Sequence, residues 1–88
     1  MAKFIAVHTM PNITDEKNFQ DGVVTRLNEV PKGFTCTQTY CDFVNHKFFC
    51  DWEVPSKEAL EQGFKSKSMP FDAVYPVKIF NCAKKKFV

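Results

Sequence analysis

Two β-rich segments, FTCTQTYCDF and KFFCDWEV, are separated only by Val44-Asn45-His46. So short a link forces the two strands to run antiparallel as a hairpin, because parallel neighbours need a long crossover connection. The rest of the chain has to be arranged around that hairpin. Before it, KFIAVHTM (Lys3 to Met10) is short, β-branched and aromatic, and it stops at Pro11-Asn12, which reads as strand then turn. Thr14-Asp15-Glu16-Lys17 then offers an N-cap and early acidic residues, and Phe19, Val23, Val24 and Leu27 recur at helical spacing. Gly22 weakens this helix, while Pro31 and Gly33 end it. After the hairpin, Ser56 caps a second helix whose apolar stripe is Ala59, Leu60 and Phe64, with Met69-Pro70 as its stop. AVYPVKIF (Ala73 to Phe80) is a fourth strand, and the internal Pro76 assigns it to a sheet edge.

The order βαββαβ is the ferredoxin-like, split-βαβ arrangement of the α+β class. It predicts a four-stranded antiparallel sheet with strands one and three in the middle, two and four at the edges, and both helices on one face. Eighty-eight residues suffice for one small core. The expected division is a single domain over residues 1–83 and a frayed basic C-terminal tail over 84–88, opened by Lys84, Lys85 and Lys86.

Charge and cysteine usage narrow the function classes. Twelve basic residues stand against ten acidic ones, and apart from the lysine run they are mixed along the chain. A nucleic-acid binder is expected to show a basic stripe instead. No apolar run approaches the roughly 18 residues of a membrane span, and the first residues lack a secretory cleavage pattern. The expected location is therefore cytoplasmic. Cysteines at 36, 41, 50 and 82 form no C-x-x-C pair and no zinc-finger spacing, so free thiols are expected in a reducing compartment.

With Asn45 and His46 as the turn residues, Phe43 opposes Phe48 and Cys41 opposes Cys50. Alternation then puts Thr39, Cys41, Phe43, Phe48, Cys50, Trp52 and Val54 on one face, and Cys36, Gln38, Tyr40, Asp42, Phe49, Asp51 and Glu53 on the other. The first set is the more apolar and is expected to meet the helices. Cys41 and Cys50 are then core neighbours acting as small hydrophobes, or else a redox-active or soft-metal pair. His46 is expected to be exposed. In the first strand Ile5 and Val7 read as the core face, leaving Phe4, Ala6, His8 and Met10 on the open face. In the last strand Tyr75, Val77 and Ile79 read as core, leaving Pro76, Lys78 and Phe80 open. An open face with so many apolar residues predicts an interface, either a homodimer closed sheet to sheet or a cleft for a small ligand. His8, Asp51 and Glu53 inside it suit a divalent transition metal, or simply bond to one another.

The segments KFIAVHTM, HKFFCDWEVPSKEAL and MPFDAVYPVKIF together resemble a family of small ferredoxin-like proteins of formerly unknown function that includes an actinomycete nickel-binding protein. The likeness is scattered from Lys3 to Phe80. It is densest at Phe49-Cys50, Glu53, Pro55, Ser56 and Glu58, and again at Pro70 and Asp72. The resemblance implies a dimer that binds Ni²⁺ or another divalent metal, with His8 as the carried-over ligand. Phe64 and Met69 stand where family members often have histidine, and Ala6 where a relative has an acid, so Cys36, Asp51 and Glu53 complete the candidate metal set. The alternative is a dimeric α+β barrel that binds or converts a small apolar molecule in a pocket on the open sheet face, with His8 as general base and Tyr40 as hydrogen-bond donor. No phosphate loop, nucleophile elbow or paired-carboxylate signature supports an enzyme.

Overall fold

The structure is a computed structural model that describes residues 2–88, so the expected domain start at Met1 lies outside the described residues. Its order is β1 (Ala2–Thr9), α1 (Glu16–Asn28), β2 (Thr35–Asp42), β3 (Lys47–Val54), α2 (Lys57–Ser66), β4 (Ala73–Pro76), β5 (Phe80–Asn81) and β6 (Lys86–Phe87). The fold is α+β. The first four strands make an antiparallel sheet in the order β2-β3-β1-β4, with β1 and β3 in the middle as the sequence leads one to expect. Both helices lie over one face. Phe19 of α1 stacks on Phe48, and Phe64 of α2 meets Trp52 and His8 edge-on.

The helices start where their caps say they should. Asp15 accepts from the Asn18 backbone N–H at 2.8 Å, and the Asn18 side chain accepts in return from Thr14 N–H at 3.1 Å. Ser56 accepts from Ala59 N–H at 3.1 Å. The two helices differ in what they bury. α2 sinks Leu60 and Phe64 into a core with Phe4, Ala6, Trp52, Val54 and Val74. α1 buries no residue fully: Phe19 and Val23 are half-buried, and Val24 and Leu27 remain exposed.

Several expectations are corrected by the register. The β2–β3 turn is the four residues Phe43–His46, held by Asp42, which accepts from Val44 and Asn45 N–H at 3.1 and 3.0 Å and closed by His46 at φ 58°. Cys41 therefore opposes Phe48, and Cys50 opposes Thr39. The pairing slips by two residues, an even number, so the β3 faces stay as expected. His46 is half-buried, its Nδ1 at 3.4 Å from the Ile13 carbonyl.

In β1 the faces are the reverse of the expectation. Phe4 opposes Trp52, Ala6 opposes Cys50 and His8 opposes Phe48, all on the helix-covered side, while Ile5 and Val7 lie on the open side. β4 follows the same pattern, with Val74 in the core and Tyr75 exposed. A bulge between Cys36 and Gln38 supplies the remaining change, for it turns Cys36 onto the helix side opposite Trp52. Residues 84–88 are not a frayed tail. Lys86–Phe87 pairs with Phe80–Asn81 in a small second hairpin, with the Phe80 and Phe87 rings 5.1 Å apart.

Candidate functional site: a cavity between helices and sheet

A strand face rich in aromatic residues has to be covered, and α1 covers it incompletely. Gly22 adds no side chain, and although Phe19 stacks on Phe48, Val23 and Leu27 do not pack against the core. A cavity of about 430 Å³ remains between α1, α2 and the sheet. That lies within the range of small-molecule sites. Phe19, Val23 and Leu27 wall it from α1, Leu60 and Phe64 from α2, and Trp52 from the sheet, so the lining is mainly apolar.

Three polar features interrupt that lining. Trp52 forms part of the wall, and its buried Nε1–H has no hydrogen-bond partner among the described residues. A buried orphan donor of this kind is uncommon and costs about 1–3 kcal/mol of desolvation. His8 is 1% exposed and lines the cavity; its Nδ1 lies 2.8 Å from the Pro70 carbonyl. Only a protonated Nδ1 can donate to that oxygen, which leaves Nε2 as the accepting nitrogen. Burial pushes the imidazole below its ordinary value, opposed by the Pro70 carbonyl and the Asp72 carboxylate. The ring is therefore neutral near pH 7.

The third feature is a thiol pair. Cys36 and Cys50 both line the cavity, and the Thr39 hydroxyl lies 3.4 Å from the Cys50 sulfur and 3.9 Å from the Cys36 sulfur. Hydrogen bonding between the two thiols lowers Cys36 and raises Cys50, with burial adding to the rise at Cys50. At the rim, the Lys67 ammonium meets the Glu29 carboxylate at 3.2 Å. These residues end α2 and α1, so the ion pair ties the two helix ends together across the mouth.

The four candidate metal residues are divided by the sheet. His8 and Cys36 are on the helix side, whereas Asp51 and Glu53 lie on the open side. There Lys3 bonds both carboxylates, to Asp51 Oδ1 at 3.1 Å and Glu53 Oε1 at 3.4 Å, with Asp51 almost completely buried. Among the described residues no three His, Cys, Asp or Glu side chains converge to hold a metal ion. Tyr40 is also on the open side and half-exposed, so it does not meet His8. Trp52 and Thr39 were placed on the helix face by sequence alternation without being assigned a role. Their significance depends on the gap beneath α1, and no residue pattern announces a gap.

No protein-family model matches this sequence, and no curated protein matches it. Among solved structures it is similar to the crystal structure of SCO4226 from Streptomyces coelicolor A3(2). The TM-score is 0.66 at 18% identity, over 86% of this chain and 95% of that one. Likeness at that identity speaks for the fold alone. No helix among the described residues is long and apolar enough to cross a membrane.

Proposed function

We propose that this protein binds a small, mainly apolar molecule carrying a hydrogen-bond acceptor, such as a ketone, ester or carboxylic acid, in the cavity between its helices and its sheet. The carrying observation is the 430 Å³ apolar cavity, lined in part by Trp52, whose buried Nε1–H has no partner among the described residues. The hydrocarbon part of the ligand fits among Phe19, Val23, Leu27 and Phe64, and its acceptor oxygen relieves the orphan donor when a turn of the indole brings Nε1–H to the cavity. His8 Nε2 accepts from a ligand hydroxyl where one is present. This is the small-molecule alternative of the sequence reading, moved from the open face to the helix-covered one.

The test uses the single tryptophan, whose indole N–H gives one resolved proton resonance. Medium-chain fatty acids, their methyl esters and aryl ketones are titrated into isotope-labelled protein. The expected result is a downfield move of the indole resonance together with shifts at Val23, Leu27 and Leu60. Shifts confined to the open face, around Ile5 and Tyr75, or a stationary indole throughout, would defeat the reading.

We infer further that the chain is a ferredoxin-like domain and that it pairs with a second copy through the open sheet face. The strand order, taken from the other edge as β4-β1-β3-β2, supports the first inference. Ile5, Val7, Phe49 and Tyr75, arranged around the Lys3–Asp51 pair, support the second. A single ion held by His8, Cys36, Asp51 and Glu53 together is not part of this proposal, since the sheet itself lies between the two halves of that set.

A further inference from the structure

The cysteine that neighbours Cys50 is not the one that hairpin pairing predicts. Cys41 opposes Phe48 and is exposed, its thiol pushed up by burial and by the Glu16 carboxylate. Cys36 has been brought round by the bulge to the helix side, where it shares the Thr39 hydroxyl with Cys50. Both sulfurs are free thiols, both are half-buried, and both line the same opening. We propose that Cys36 and Cys50 form a dithiol site that a hydroperoxide oxidises to a disulfide at the cavity wall.

Position assigns the two roles. The Thr39 hydroxyl gives its one proton to the Cys50 sulfur at 3.4 Å, so the group left to donate to the Cys36 sulfur is the Cys50 thiol, and donation stabilises a thiolate. Cys36 is therefore the sulfur that attacks. Its thiolate attacks one peroxide oxygen, the O–O bond breaks, and the other oxygen leaves as an alcohol, or as water, with a proton taken from solvent. The product is a neutral Cys36 sulfenic acid. Once that negative charge is gone, Cys50 loses the neighbour that most strongly held its proton in place. Cys50 then attacks the Cys36 sulfur, the S–S bond forms, and the hydroxyl group departs as water with the Cys50 proton. In sum, two thiols lose two electrons and two protons, and one peroxide is reduced to an alcohol and water. The step needs no cavity ligand, so it stands or falls separately from the binding proposal.

The experiment treats the fully reduced, folded chain with dilute hydrogen peroxide, quenches it by alkylation, and maps the peptides by mass spectrometry without reduction. The expected product is a Cys36–Cys50 linked peptide lighter by two hydrogen atoms, formed before Cys41 or Cys82 reacts although both are more exposed. C50S should trap a sulfenic acid at Cys36 that a cyclic dione reagent captures, and C36S should give no link while Cys50 stays reduced. Carrying out the reaction in concentrated urea should abolish the preference for Cys36. Oxidation of Cys41 or Cys82 ahead of Cys36, or Cys36 passing to the sulfinic acid with Cys50 present and no link formed, would overturn the proposal.

Discussion

At His8 the imidazole is cut off from water, donates Nδ1–H to Pro70 and lies edge-on to Phe64 with ring centroids 5.0 Å apart. Burial lowers its pKa in the folded chain below the ordinary 6.5, so between those two values the unfolded chain binds more protons. The stability this neutral ring contributes is fully present above about pH 6.5 and is lost as pH falls towards the folded value. Urea midpoints measured from about pH 8 to pH 5 should therefore fall with acidification, and the fall should be shallower in His8→Gln, which keeps a donor for Pro70. Equal slopes in the two proteins would show that His8 is not the group responsible. The position of this residue was not legible from the sequence. Phe4, Ile5, Ala6 and Val7 give no polar-apolar alternation, and His8, in step with Phe4 and Ala6, reads as the solvent side even though Lys3 and Thr9 stand in step with Ile5 and Val7. The reverse is true because a buried carbonyl acceptor at Pro70 and an aromatic face at Phe64, both remote in sequence, make a buried imidazole acceptable.

The elements were more legible than their faces, because caps and breakers are local. Asp15, Ser56, Pro31 and Pro70 each act within a few residues of where they stand. The bulge between Cys36 and Gln38 has no such marker: Thr37 is an ordinary strand residue, and only pairing with β3 reveals that it is extra. The β2–β3 slip did little harm because it was even. α1 is the element where local preference and packing disagree. A methyl group added at Gly22 meets nothing within 4 Å, so Gly22→Ala removes the helix penalty of glycine without a clash. The expected gain is about 0.5–1 kcal/mol in unfolding free energy by denaturant titration. A loss would mean that α1 sits closer to the sheet than the cavity allows.

For the whole molecule, the two sides of the sheet differ: the covered side holds the cavity, and the open side carries Ile5, Val7, Phe49 and Tyr75 around the Lys3–Asp51 pair. Light scattering on purified protein should give the mass of a dimer, and Val7→Lys, facing Phe49 at the middle of that side, should give a monomer that keeps its secondary structure. A monomeric parent chain would remove the pairing proposal and leave the cavity untouched. The contrast between the two helices bears on time as well as on structure. α2 is anchored by Leu60 and Phe64, while α1 has no fully buried residue and closes the mouth through a half-exposed Glu29–Lys67 pair, an interaction worth little on its own. Of the two helices, α1 is then the one expected to come away first. A guest beneath it has no need of a permanent channel, and its residence time follows how often that one helix lifts.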